Sequence, residues 1–534
     1  MPSRLTPRAP LALRERRPHV RQCRSRGGGG GGMSATTTSR AAYVPSGPYG
    51  LQIGGEEVPA AERFDAVDPS VGTPWAEIPQ ANADDVDRAV AAARAAFPGW
   101  RRTSLATRQD LLWRLADAVV ADPQRWARLQ ATENGRPIRE AIAGDVPTCA
   151  AILRFFAGVA RDLRGDQVPV EDPERLVYTT REPLGVIAAL IPWNSPLITV
   201  ANKIGPALAA GNTIVLKPSE LASASVLEFA REAQAILPPG VLNVVTGFGP
   251  SVGAALVAHP DVAKVTFTGG TATARHIMSA AGAALTPTVM ELGGKGAMIV
   301  CADADVDAAV DDALAGIYLS NGQVCVAASR LLVHDAILEA FSERFLEIAR
   351  TIRVGDAVDP ESQFGPLVSG PQRDRVVAAV ERARAEGAQV LAGGAAPSLP
   401  EPLAGGFFLE PTLLADPGGT TSASREEFFG PVTVLERFRD EDDAIARANA
   451  TSYGLAAGVW TRDLARAHRL ARRLEAGIVW VNTWFDLPVG MPMGGVKDSG
   501  FGRELSAETL HEYSAPKAIN IGFGARRRPL WGDV

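Results

Sequence analysis

Val186-Ile187-Ala188-Ala189-Leu190-Ile191-Pro192-Trp193-Asn194 is answered, one helical stretch later, by Thr213-Ile214-Val215-Leu216-Lys217-Pro218-Ser219-Glu220. In each case a short apolar run ends in turn-forming residues, and the stretch between them has helical character up to Gly211. The same unit recurs, with apolar runs at 241–245 and 264–267 and a helical segment after Ser251. Strands that are apolar without alternation are buried on both faces, so this alternation predicts a doubly wound α/β fold, a parallel sheet covered by helices. Upstream, Val86, Val90, Ala93 and Phe97 share one helical face and predict a first helical layer from Asp84. Downstream, strands at 297–300 and 329–333, a helix over 337–352 and the Gly365-Pro366 and Gly430-Pro431 breaks predict a second α/β domain. The segments 176–180 and 518–522 are short and β-leaning, and are expected to pair as a small β excursion.

Composition narrows the function classes. With 54 basic and 60 acidic residues and a net charge of -6, the chain has no basic stripe for a phosphate backbone and no polybasic anchor, so neither nucleic acid nor a membrane surface is expected as a partner. No uninterrupted apolar stretch nears the roughly 20 residues of a bilayer span. Four scattered cysteines, Cys23, Cys149, Cys301 and Cys325, do not form a disulfide framework and suit a reducing cytoplasm. No group of residues is assigned to a metal. Residues 1–32 carry eight arginines and end in the glycine run 27–32. An Arg-rich, acid-poor leader could be an organellar transit peptide, but it lacks the periodicity of an amphipathic helix and Met33-Ser34-Ala35 looks like an ordinary start, so we expect 1–40 to be a disordered extension.

Four groupings carry chemistry. Pro192-Trp193-Asn194 forms a rigid turn at the carboxyl end of a strand, where open α/β sheets place ligands, so Asn194 could offer an amide N–H there or simply bond its own turn. Lys217 and Glu220, past the next strand, could grip ribose hydroxyls or form a solvated surface pair. Glu291 lies among Val289, Met290 and Leu292, just before Gly293-Gly294, a setting that raises a carboxyl pKa toward a general base's range, or else it is a hydrogen-bonded structural carboxylate. Cys325, in Gly322-Gln323-Val324-Cys325, could be a nucleophile if backbone N–H groups or a cation stabilise its thiolate, and otherwise is a small buried hydrophobe. Gly247-Phe248-Gly249-Pro250-Ser251-Val252-Gly253 has three residues where the dinucleotide fingerprint has two, and carries little weight.

In combination these segments resemble the aldehyde dehydrogenase superfamily over nearly all of 45–525. The resemblance rests on Pro-Trp-Asn at 192–194, Lys-Pro-Ser-Glu at 217–220, Phe-Thr-Gly at 267–269, Glu-Leu-Gly-Gly-Lys at 291–295 and Gly-Gln-x-Cys at 322–325. Added to these are Glu427-Phe428-Phe429-Gly430-Pro431, Asn449 through Tyr453-Gly454-Leu455, and Pro492-Met493-Gly494-Gly495-Val496-Lys497 with Ser499-Gly500. The likeness implies Cys325 as nucleophile, Glu291 as general base, and Asn194 with the Cys325 N–H as oxyanion donors, with Lys203 and Glu504 supporting proton movement. It implies NAD rather than NADP, held by Ile191, Pro192, Trp193, Lys217, Ser219, Glu220, Gly269, Gly270, Leu292, Glu427 and Phe429. It further implies an NAD-binding domain (41–161 and 187–295), a catalytic domain (296–511) and an oligomerisation excursion (162–186 and 512–526) that builds a homodimer or homotetramer. Gly270 and Ala274 depart from the Ser and Gly usual after the Phe-Thr-Gly turn, which removes a hydroxyl contact to phosphate.

The implied reaction is NAD-dependent oxidation of a small-molecule aldehyde to a carboxylic acid through a thiohemiacetal and a thioester on Cys325. Three alternatives stand beside it. Acylating relatives, which pass the thioester to coenzyme A, generally lack the carboxylate found here at Glu291. A catalytically silent structural homologue would have no need of Cys325. A cofactor-free thiol hydrolase would leave the ribose-gripping segments unexplained and has no histidine near Cys325. Ser195 and Asn202 stand where many members carry aromatics, which predicts a wider, more polar substrate channel. Val481-Asn482-Thr483-Trp484 resembles betaine-aldehyde and aminoaldehyde enzymes, whose aromatics cradle a cationic group.

Overall fold

The structure is a computed structural model and describes residues 42–524 and Trp531. The extension expected at 1–40 and the last two positions of 512–526 lie outside the described residues. The repeating unit read from the sequence folds into an eight-stranded sheet. Its five central strands are parallel, in the order Leu242–Val244, Thr213–Pro218, Val186–Ile191, Val262–Thr268, Thr288–Glu291. In chain order this is 3-2-1-4-5, so the winding reverses between Val186–Ile191 and Val262–Thr268, and the crevice at their carboxyl ends is the expected ligand site. Val186–Ile191 and Thr213–Pro218 are buried along their whole length, as their unbroken apolar pattern requires. The helix Ala83–Trp100 covers one face with Val86, Val90 and Ala93 buried, while Phe97 is only partly covered. An Asn82–Asp85 capping box starts that helix.

The second alternation builds a seven-stranded sheet, ordered Gln389–Ala392, Thr412–Ala415, Val432–Phe438, Arg330–His334, Ala297–Val300, Ala456–Trp460, Ile478–Val481. All its pairings are parallel except the first. The segments 176–180 and 518–522 do pair: Arg175–Pro183 runs antiparallel to Ser514–Gly522, with Ile519 opposite Tyr178, and Gln167–Val168 adds a third strand. The two-residue strand Gly500–Phe501, from the segment read as catalytic, joins the eight-stranded sheet beside Thr288–Glu291. The helical run Ile138–Asp162 is long and apolar enough to cross a membrane, with a mean hydropathy of 1.4. Its Cys149, Ile152, Leu153 and Phe156 are instead buried against the helix Pro196–Ala210 in the main core.

Candidate active site

The strand Val186–Ile191 runs out into Pro192-Trp193-Asn194, and the neighbouring strand end is tied to it by the Ser219 N–H, which donates to the Ile191 carbonyl at 2.9 Å. Around these ends opens a cleft of about 630 Å³, lined by Ile191, Pro192, Trp193, Lys217, Ser219, Glu220, Gly269 and Gly270. Eight of the eleven residues read as cofactor-binding therefore share one cavity. Burial pushes the Lys217 amine down to about 8, against the opposing charge of Glu220, and its Nζ donates to the Pro218 carbonyl at 2.8 Å. Gly270 begins the helix Thr271–Ala283 without a side-chain cap, and the buried hydroxyl of Thr268, which also lines the cleft, has no protein partner. Sequence reasoning missed Thr273, His276 and Ile277, which line the same wall. They follow the Phe-Thr-Gly turn at helical spacing, and that spacing was the available signal.

The other three, Leu292, Glu427 and Phe429, lie outside this cavity but continue from it. The Phe429 ring meets Trp193 edge to face at 5.3 Å. A Glu427 oxygen accepts the Gly294 N–H at 2.9 Å, and burial holds this carboxyl up at about 7. Leu292 is buried and donates its N–H to the Ser499 carbonyl. Both glycines leave room for a neighbour, Gly293 for the end of the Glu427 side chain and Gly294 for the backbone of the cysteine loop. A Cβ on Gly293 would fall 2.0 Å from Glu427, and one on Gly294 2.7 Å from the Cys325 carbonyl oxygen. The segment that begins with Glu291 thus reaches the cysteine within three residues.

Cys325 follows a kinked turn in which Ser320, Asn321 and Gly322 all have positive φ, and it is partly accessible, whereas Cys149 and Cys301 are buried. Burial, then the charges of Glu291 and Glu427, push its thiol up to about 12, with the Val326 and Cys325 backbone N–H groups pulling the other way. The resting group is therefore a thiol. Asn194 Nδ2 donates to the Gln323 carbonyl at 3.0 Å, bringing the turn of one sheet onto the cysteine loop of the other. Glu291 is 2% exposed, and neither carboxylate oxygen has a protein partner. Its carboxyl is raised well above the ordinary range by burial and by the charge of Glu504, against Lys203 and Arg503. Lys203 and Glu504 form a fully buried ion pair. The five residues read as catalytic are therefore linked into one region. Trp484 is buried, and its indole N–H donates to the Val326 carbonyl at 3.1 Å, so it props the cysteine loop from behind.

A cleft at the switch point of one parallel sheet is where open α/β sheets bind their ligands. The aldehyde dehydrogenase family profile matches residues 57–519, and the chain belongs to that family. It is similar to PnpE from Pseudomonas sp. WBC-3, at 43% identity over 91% of this chain and 99% of that one, with a TM-score of 0.88. PnpE has also been solved in complex with nicotinamide adenine dinucleotide. A betaine aldehyde dehydrogenase from Staphylococcus aureus, in complex with NAD+, is 34% identical over 91% of this chain and 96% of its own, with a TM-score of 0.88. An aldehyde dehydrogenase from Bacillus cereus is 37% identical over 90% and 97%, with a TM-score of 0.87.

Proposed function

We propose that this chain oxidises an aldehyde to a carboxylic acid with NAD, through a thioester on Cys325 that water hydrolyses with Glu291 as base. The observation that carries the reading is Glu291 itself. A carboxyl with both oxygens unpartnered in a 2% exposed setting costs stability, and its position three residues from the glycine packed on Cys325 gives that cost a use.

The cleft suits a dinucleotide in size, in the unpartnered Thr268 hydroxyl, and in the uncapped helix start at Gly270, whose N–H groups favour an anion. Lys217 and Glu220 would hold the adenosine ribose and Glu427 the nicotinamide ribose, with Phe429 on the nicotinamide side. Bound NAD would supply the hydride acceptor. The helix start also offers a phosphate the contact that Gly270 withholds by lacking a hydroxyl.

The chain's own residues account for the rest. The Cys325 thiol loses its proton to Glu291 and attacks the aldehyde carbon, forming the S–C bond. One Asn194 N–H is held by the Gln323 carbonyl, two residues before the cysteine, which leaves the other to meet the developing oxyanion together with the Cys325 N–H. Once the thioester has formed and Glu291 has given up the thiol's proton, it takes a second one from water, the hydroxide adds to the thioester carbon, and the S–C bond breaks to release the acid and a thiolate that Glu291 reprotonates. Lys203 and Glu504 carry the thiol's proton onward from Glu291 before hydrolysis. The carboxylate at Glu291 favours hydrolysis over transfer to coenzyme A.

For the substrate, the buried Asn202, whose Oδ1 has no partner, and Ser195 support an aldehyde bearing a polar group. The antiparallel sheet of Arg175–Pro183 and Ser514–Gly522 is the proposed oligomerisation element. Initial rates of NADH formation and acid release across aliphatic, aromatic, hydroxy and amino aldehydes, with NAD and NADP, test the assignment. Stoichiometric acid and NADH from at least one class is expected. An acyl-coenzyme A product in place of the acid when coenzyme A is added, or no turnover of any aldehyde, would overturn it.

A further inference from the structure

The Asn194 turn and the cysteine loop belong to different sheets, yet one short stretch touches both. The helix Pro123–Asn134 ends at Gly135, which has φ 78°. Asn134 Nδ2 donates to the carbonyls of Trp193 at 3.0 Å and Asn194 at 3.4 Å. The next residue, Gly135, accepts the Asn321 side-chain amide on its carbonyl at 2.8 Å. Arg136 Nη1 then donates to Ser195 Oγ at 3.2 Å, and Glu140 accepts the Ser320 N–H at 2.8 Å. Contacts alternate between the oxyanion turn and the nucleophile loop.

The stretch is itself held down. Arg136 Nε lies 2.8 Å from an oxygen of the fully buried Asp145. Glu133 caps the helix Ala224–Gln234, accepting the Ala224 N–H and the Ser225 hydroxyl, the latter at 2.5 Å. Gly135 is pressed against the neighbouring loop, and a Cβ there would fall 2.8 Å from Pro366. Asn321 secures the far side by accepting the Gly365 N–H at 2.7 Å and donating to the Pro366 carbonyl at 2.8 Å.

We propose that residues 134–140 form a positioning bracket that sets the spacing between the Asn194 amide and the Cys325 thiol, with Asn134, Arg136 and Glu140 as positioning residues. An oxyanion donor works only when it lies about 2.7–3.1 Å from where the charge develops, so the two halves of this site must be held to a few tenths of an ångström. The Asn194–Gln323 contact is a single hydrogen bond, whereas the bracket supplies fixed contacts to each side. The proposal rests on the roles given above to Asn194 and Cys325.

The test separates oxyanion stabilisation from general integrity. Asn134→Ala and Glu140→Ala are compared with wild type in kcat/KM for aldehyde oxidation, and in the rate of Cys325 alkylation by iodoacetamide, followed on the Cys325 peptide by mass spectrometry. Alkylation forms an S–C bond as iodide leaves and the thiol proton goes to solvent, with no oxyanion. Each alanine variant should lose about 10-fold to 100-fold in kcat/KM, while alkylation stays within about 2-fold. Glu140→Gln, which keeps an acceptor for the Ser320 N–H, should recover most of the loss. Parallel loss in both rates, no loss in kcat/KM, or failure of Glu140→Gln to recover would overturn the bracket. Should an alanine variant fail to fold, Asn134→Asp keeps the size of the side chain and removes the amide donor to the Trp193 and Asn194 carbonyls. It should lower kcat/KM and spare alkylation, and an unchanged kcat/KM would overturn the proposal. If wild type oxidises no aldehyde, the functional reading fails, which is a separate result.

Discussion

Glu220 lines the proposed adenosine end of the cleft with its carboxylate near Lys217, whose charge burial has weakened. A carboxylate accepts hydrogen bonds from ribose hydroxyls and repels a 2′-phosphate, and like-charge contacts of this kind cost several kcal/mol. Catalytic efficiency should therefore favour NAD over NADP by on the order of 100-fold, and Glu220→Gln should narrow the gap. Equal efficiency in wild type would contradict this. At this scale the residues differ in how far the sequence discloses them. Glu291 was legible because a carboxylate flanked by Val289, Met290 and Leu292 at a strand end has to be buried. Cys325 was not legible on its own, since Cys149 and Cys301 sit in equally apolar stretches and differ only in being sealed. Asn134 and Glu140 gave no signal, because their partners lie 59 and 180 residues away.

The element that presents the thiol is the kinked turn Leu319–Gly322, with φ values of 53° at Ser320, 57° at Asn321 and 73° at Gly322. Gly322 is required twice over, by its positive φ and because a Cβ there would fall 2.4 Å from the Gly430 backbone. Gly322→Ala should cost about 1–3 kcal/mol of stability and lower kcat further than the thermal midpoint alone implies, since the loop must shift where Asn194 meets Gln323. An unchanged midpoint and kcat would show that the turn relaxes freely. The long parallel strands were readable from their unbroken apolar runs. Gly500–Phe501 was not, because two residues carry no period and their pairing with Met290 and Glu291 is a tertiary event. The pairing of Arg175–Pro183 with Ser514–Gly522 was readable as a possibility, and its nine-residue register came only with the structure.

Across the whole molecule, assembling the site between two sheets buries groups that would rather be neutral. Burial raises Glu133, Glu140 and Glu427 to about 7 and Asp145 to about 6. Between the ordinary carboxylate pKa and these values the native state holds protons that the unfolded chain has lost, so these groups make stability fall as pH rises from about 4.5 to 7. Lys217 and Lys295, lowered to about 8 and about 7, act in the opposite direction above that window, where the unfolded chain holds the extra protons. The thermal midpoint should decline from pH 5 to 7. Glu133→Gln, which keeps an acceptor for the Ala224 N–H, should flatten that decline, and a midpoint rising steadily over this range would contradict the account.

The central claim is that Glu291, from the cofactor sheet, completes chemistry begun by Cys325 on the other lobe, and rapid mixing of Glu291→Gln with NAD and aldehyde tests it most directly. Attack and oxidation should survive while thioester hydrolysis slows, giving a burst of NADH approaching one per active site and then a depressed steady rate. If loss of the base also slows the burst, raising the pH should restore the burst sooner than the turnover, because a growing share of the thiol ionises without help. Steady turnover equal to wild type would mean that another group activates water, and the assignment of Glu291 would be wrong.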